Sequence, residues 1–266
     1  MVEIREELEK LRNLIHSGLV YGSLVRDIDI LLVVDNEQVM EEVREELNRL
    51  SRRLERPLDV SLKCLEEVEN RISHHDFNFG SALTTTRFYL ANRPYLERAK
   101  DFIFGTEPGR ESVLFNFSEG LYAFDVSVFD FQCFEFYQRS DWYRNGVEVK
   151  DYFRVVLENS LPQTRIGGIS GRARHYLGNS VTNLSFSLGY LIATRIMQEG
   201  GEVIDLNFLL SNQLRSPEHK LFMENRRNIE RYRNALELDP SEIRSQIEET
   251  KGYYEKYTDE LLLLEN

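Results

Sequence analysis

The stretch that decides the fold is Gly18-Leu19-Val20-Tyr21-Gly22-Ser23-Leu24-Val25-Arg26-Asp27-Ile28-Asp29-Ile30-Leu31-Leu32-Val33-Val34. An apolar run ends at Gly22-Ser23, a pair that favours turns because glycine tolerates positive φ and serine bonds its own backbone. A second apolar run then opens on Asp27 and Asp29. Residues two apart on a strand point to one face, so the two carboxylates are expected side by side, their roots about 7 Å apart. Such a pair repels unless a cation lies between its members. Mg²⁺ takes one or two carboxylates and fills its remaining positions with water and phosphate oxygens, so the pattern points to a metal-bound nucleotide.

Working outward, Asn36 to Arg53 carries Val39, Val43, Leu47, Leu50 and, just beyond, Leu54 among charged residues. This three-and-four spacing predicts an amphipathic helix. A short strand, Pro57-Leu58-Asp59-Val60-Ser61-Leu62, follows. The order strand, strand, helix, strand lets the third strand lie beside the second, which would bring Asp59 next to Asp27 and Asp29. Three such carboxylates can hold two divalent ions, one for a leaving pyrophosphate and one for an attacking hydroxyl.

These residues resemble the nucleotidyltransferase superfamily that shares the DNA polymerase β palm, in particular its small prokaryotic members. The shared pattern is a strand ending in Gly-Ser, an Asp-x-Asp strand, and a third Asp one strand later, and it covers about the first 100 residues. In that family the Gly-Ser turn cradles the β and γ phosphates and the aspartates bind the metals. The resemblance therefore implies nucleotide-binding roles for Gly22 and Ser23, with Arg26 offsetting phosphate charge. It implies catalytic and metal-binding roles for Asp27, Asp29 and Asp59. Three residues separate Ser23 from Asp27 here, where family members commonly have some ten.

Composition limits the alternatives. The chain has 266 residues, 41% of them hydrophobic, which suits a folded protein of two domains or one large one. A formal charge of −12 argues against a generic duplex DNA-binding surface, which needs clustered Lys and Arg to release counterions. Cys64 and Cys133 lack the spacing of a zinc site or a disulfide framework, which fits a reducing cytoplasmic setting. The first residues, Met1 to Glu7, read as a charged helix rather than a leader, and no run is apolar enough for a membrane span.

Further along, Cys64 to Ile72 reads as a short helix, and the His74-His75-Asp76 step after it as a solvated or helix-capping segment rather than a metal site, since neighbours on a chain diverge. Thr84 to Phe104 reads as helical, with Pro94 as an interruption or a second start. Gly105-Thr106-Glu107-Pro108-Gly109 is the candidate boundary. Leu114 to Tyr143 then holds eleven aromatic residues with little positive charge, which suits core or subunit packing, and its periodicity fits strand and helix equally. The rest is mostly helical, with helices expected over 151–161, 181–197, 225–236 and 241–264. Between the first two lies the one locally basic, glycine-rich segment, Thr164 to His175. Its Arg165, Arg172 and Arg174 suit phosphate or carboxylate, or pair with the protein's own acid.

The expectation is an α+β chain: residues 1–105 a nucleotidyltransferase-like palm, a mixed sheet with flanking helices, and residues 110–266 a mainly helical substrate or partner domain. The activity expected is Mg²⁺-dependent transfer of a nucleoside monophosphate from a nucleoside triphosphate to a hydroxyl of a small-molecule, protein or RNA acceptor. Two metals are compatible with it. Gly22, Ser23, Arg26, Arg172 and Arg174 are the nucleotide-binding candidates, and a homo-oligomer is compatible with the aromatic segment. The alternative is a non-catalytic binding or regulatory module on the same fold, antitoxin-like or a subunit.

Overall fold

The computed structural model describes residues 2–22, 28–54, 58–139, 171–212, 214–234 and 236–263. Ser23, Arg26, Asp27 and Arg165 lie outside them, as does the helix expected over 151–161. The chain is α+β and mostly helical, with a four-stranded mixed sheet. It divides into two compact units, residues 1–116 with 193–212, and residues 117–192 with 213–266.

The first unit is built on the sheet. Its strands are β1 (Ser17–Tyr21), β2 (Ile28–Val34), β3 (Leu58–Cys64) and β4 (Thr86–Ala91), in the order β3-β2-β1-β4. β1 runs antiparallel to β2 and β4, while β2 and β3 are parallel. A parallel pair cannot be closed by a hairpin and needs a crossover element, here α2 (Glu37–Leu54), which Asn36 caps through Gln38 N at 3.0 Å. Helix α1 (Val2–Leu8) and a 3₁₀ turn (Glu9–Asn13) precede β1.

Strand alternation gives the sheet two apolar faces. Val20, Ile28, Ile30, Leu32 and Val34 pack with Leu8, Leu11 and α2's Val43, Leu47 and Leu50. Leu19, Leu31 and Val33 face α3 (Leu65–Ser73), α4 (Phe77–Thr84) and α5 (Arg93–Gly105) through Val68, Phe79, Leu83, Leu96, Ala99 and Ile103. With both faces covered, β2 reads as a continuous apolar run, and burial of each such side chain contributes about 1.5–3 kcal/mol.

One sequence expectation is corrected here. Thr84 to Phe104 is not a single helical segment: Thr86–Ala91 is β4, and α5 begins only after Asn92, whose φ of 41° breaks the chain before Pro94 in the helix's first turn. β-Branched and aromatic residues, Thr86, Phe88 and Tyr89, suit the pleat, and the bare edge of β1 gives them a partner that local periodicity does not reveal.

The His74-His75-Asp76 step is structural. Asp76 caps α4, accepting from Phe79 N at 2.7 Å, and also pairs with Arg71. His75 is buried between Ser112 Oγ, 2.9 Å from Nδ1, and Thr106 Oγ1, 2.8 Å from Nε2. Asn116 closes the corner, accepting from Phe77 N and donating to the carbonyls of His74 and His75. Helix α8 (Leu206–Ser211) joins this unit, Leu206 N donating to Ser81 Oγ at 2.9 Å.

The second unit is helical. It comprises most of α6 (Arg110–Arg139) and α7 (Gly171–Gln198), with α9 (Pro217–Arg233) and α10 (Pro240–Leu263). The aromatic-rich segment is thus a helix, burying Phe124, Phe131 and Phe134 while Tyr122, Phe129 and Phe136 stay exposed. Its interior is partly polar. Ser127 Oγ donates to the Ser180 carbonyl at 2.8 Å, and Tyr254 OH to the Ser187 carbonyl at 2.9 Å. A Cβ on Gly120 would come within 2.5 Å of the Tyr254 hydroxyl, so glycine is what lets the two helices meet there. No helix among the described residues is long and apolar enough to cross a membrane.

Candidate functional site

The sheet register sets one cross-strand row at the end where β1 finishes and β2 begins. Asp59 lies opposite Asp29, Asp29 opposite Tyr21, and Tyr21 opposite Thr86. Residues opposed in neighbouring strands share a face and lie about 5 Å apart at Cβ. The next row along, Ser61, Leu31, Leu19 and Tyr89, carries no charged group. β3 therefore carries Asp59, Ser61 and Lys63 on this face and Leu58, Val60 and Leu62 on the other, where they meet the core. The carboxylate pair thus sits where an edge strand leaves the apolar layer.

Its electrostatics follow from that placement. Asp29 is half-buried and Asp59 exposed. Two carboxylates at this separation repel by about 1–3 kcal/mol in effective dielectrics between water and 20. The Tyr21 hydroxyl feels both: burial first, then the charges of Asp29 and Asp59, push its pKa well above the usual tyrosine range. Tyr21 stays a neutral phenol beside the pair at any physiological pH.

Gly22 completes the local geometry. Its φ is +68°, a left-handed conformation that costs a side chain strain, and a Cβ there would collide with Asp29 Oδ2. Gly22 N donates to the Thr85 carbonyl at 3.3 Å, and Arg87 Nε donates to the Gly22 carbonyl at 2.7 Å. Gly22 is thereby tied to Thr85 and to Arg87 of β4 through both its amide and its carbonyl.

The structure thus brings Gly22, Asp29 and Asp59 together. Ser23, Arg26 and Asp27 lie outside the described residues. Among the described residues no cluster of three or more His, Cys, Asp or Glu is gathered. In the other unit, Arg172 and Arg174 fall in the first turn of α7. Arg174 donates to the carbonyls of Tyr232 at 2.8 Å and Leu236 at 3.1 Å and stacks on the Tyr232 ring, 5.1 Å from its centroid.

Two residues of the site escaped sequence reasoning. Tyr21 looked like one more apolar strand position, and Arg87 was hidden because its strand read as helix. The signal in the sequence for Arg87 is the alternation of Thr86, Phe88 and Leu90 against Arg87 and Tyr89, which fits a strand. No protein-family model, curated protein or solved structure matches the chain.

Proposed function

We propose that the chain is a Mg²⁺-dependent nucleotidyltransferase, with a polymerase-β-like palm in its first unit, moving a nucleoside monophosphate from a nucleoside triphosphate to a hydroxyl acceptor. The observation that carries this reading is the in-register pairing of Asp29 with Asp59, against which Gly22 folds. Hard carboxylate oxygens side by side at an accessible sheet edge fit Mg²⁺ rather than a thiophilic metal. Asp29 and Asp59 would hold the ion, with Asp27 as the further carboxylate; bound there, it would neutralise phosphate charge and bring triphosphate and acceptor together.

In the reaction the acceptor oxygen bonds the α-phosphorus as the bond to the bridging oxygen of the β-phosphate breaks, and pyrophosphate leaves. Asp59, the more exposed of the pair, would take the proton from the acceptor hydroxyl. Gly22 lets the backbone approach the phosphates where any side chain would displace Asp29. Tyr21, neutral under the pair, adds no competing charge.

A second reading, a binding module that retains the fold without the chemistry, is favoured by Tyr122, Phe129 and Phe136, large aromatics exposed on α6. One experiment separates the two. The four ribonucleoside triphosphates are titrated with and without Mg²⁺, and pyrophosphate release is followed with candidate hydroxyl acceptors. Mg²⁺-dependent binding with release supports the enzyme, binding without release supports the module, and no Mg²⁺-dependent binding overturns the enzyme reading.

A further inference from the structure

Arg87 occupies an irregular position in the sheet. Val20 is opposite Phe88 and Tyr21 is opposite Thr86, so the register skips Arg87. A residue left unpaired by such a bulge is re-aimed relative to its strand, and bulges of this kind gather at barrel rims and beside active sites. Here the re-aimed side chain turns toward the β1 end, where Nε donates to the Gly22 carbonyl at 2.7 Å. The bond holds the guanidinium against Gly22 while using one of its five N–H donors. Arg87 is exposed and forms no ion pair with a carboxylate among the described residues. A cation is thus held beside the carboxylate row with no ion-pair partner among the described residues. Neighbouring Thr86 is itself occupied, its one hydroxyl proton shared between the carbonyls of Ala82 and Leu83.

We infer that Arg87 is an anion-binding residue of this site, its terminal guanidinium nitrogens gripping the polyphosphate of an incoming nucleotide while Nε stays on Gly22. The inference rests on the nucleotidyltransferase reading and adds to it a residue that the Gly-Ser and Asp-x-Asp pattern does not contain. Guanidinium suits the task because its fork meets phosphate oxygens in pairs and remains charged at any working pH. Bond by bond the division of labour is plain: the carboxylates suit a metal, and the arginine takes phosphate charge the metal leaves over.

The test uses the full chain and calorimetric titration with Mg²⁺ present. The probes are the four nucleoside triphosphates, the matching nucleoside monophosphates and inorganic tripolyphosphate, against wild type, Arg87→Met, Arg87→Lys and Asp29→Asn. Arg87→Met is expected to weaken triphosphate and tripolyphosphate binding about tenfold or more and monophosphate binding about twofold or less, since a charge-assisted phosphate contact is lost. Arg87→Lys should fall between, keeping charge but losing the fork. Equal weakening of mono- and triphosphate by Arg87→Met would reduce Arg87 to a support for the turn and overturn the inference. So would unchanged triphosphate binding in Arg87→Met alongside its loss in Asp29→Asn, which leaves the nucleotidyltransferase reading intact. If wild type binds none of the triphosphates, that reading fails and the inference with it.

Discussion

Gly22 and Asp29 share one volume: the space a Cβ on Gly22 would take is filled by the Asp29 carboxylate, and the glycine's φ of +68° is one that a side chain rarely adopts. The motif glycine and the motif aspartate, seven positions apart in sequence, are therefore one packing unit.

Gly22→Ala should destabilise the first unit by about 1–3 kcal/mol, the sum of left-handed strain and a forced rotamer change at Asp29. Urea unfolding compared with wild type checks it. A loss under 0.5 kcal/mol would mean that the carboxylate moves aside at little cost.

Asp29→Asn removes one of two repelling charges. Stability without ligand should rise, by up to about 1–3 kcal/mol, while stabilisation by Mg²⁺ and nucleotide, about 2.7 kcal/mol at a hundredfold excess over Kd, should vanish. Differential scanning calorimetry with and without Mg²⁺ reads both. Retained ligand stabilisation would take the metal away from Asp29.

Arg174→Ala should cost the helical unit about 1–3 kcal/mol, because the carbonyls of Tyr232, in the last turn of α9, and of Leu236, beyond it, each lose a donor together with the ring stack. Chemical denaturation measures this; an unchanged midpoint would show that water replaces the guanidinium without loss.

Asp130 is buried on α6, with Asn183 Nδ2 donating to it at 3.1 Å, and burial raises its carboxyl to about 6. The folded state therefore binds the proton more tightly than the unfolded one. Stability from this group is fully present below the usual carboxylate pKa and is lost as pH rises through about 6, by at most about 3 kcal/mol. Wild type should gain stability relative to Asp130→Asn between pH 7 and 5. A flat difference across that range would rule out the shift.

His75 has the opposite sign. Burial lowers its pKa below the usual histidine value, so the unfolded state binds the proton more tightly and stability falls as pH drops below that value. The loss should be reduced in His75→Gln, whose amide can still bond Ser112 or Thr106. Thermal melts of both proteins across pH 7 to 5 test the difference; parallel curves would assign the acid sensitivity elsewhere.

Much of the first unit is legible in order alone. The apolar run over 28–34, too continuous for a half-exposed strand, and the helical spacing over 39–50 require a buried β2 and an amphipathic crossover. A crossover of that length makes β2 and β3 parallel, and the alternation then puts Asp29 and Asp59 on a common face. Strand period and chain length are local properties, and local properties are written in the residues.

What tertiary structure decided is of another kind. β4 is a strand because β1 offered an unpaired edge, although its residues also fit a helix. The aromatic segment of α6 is a helix because its neighbours left one stripe to bury, which brings Phe124, Phe131 and Phe134 inside and leaves Tyr122, Phe129 and Phe136 out. Arg87 reaches Gly22, 65 residues away in the chain, through a bulge that exists only in the paired sheet. Single-chain periodicity carries no term for any of these, because the free energy that selects them is released only when one element meets another.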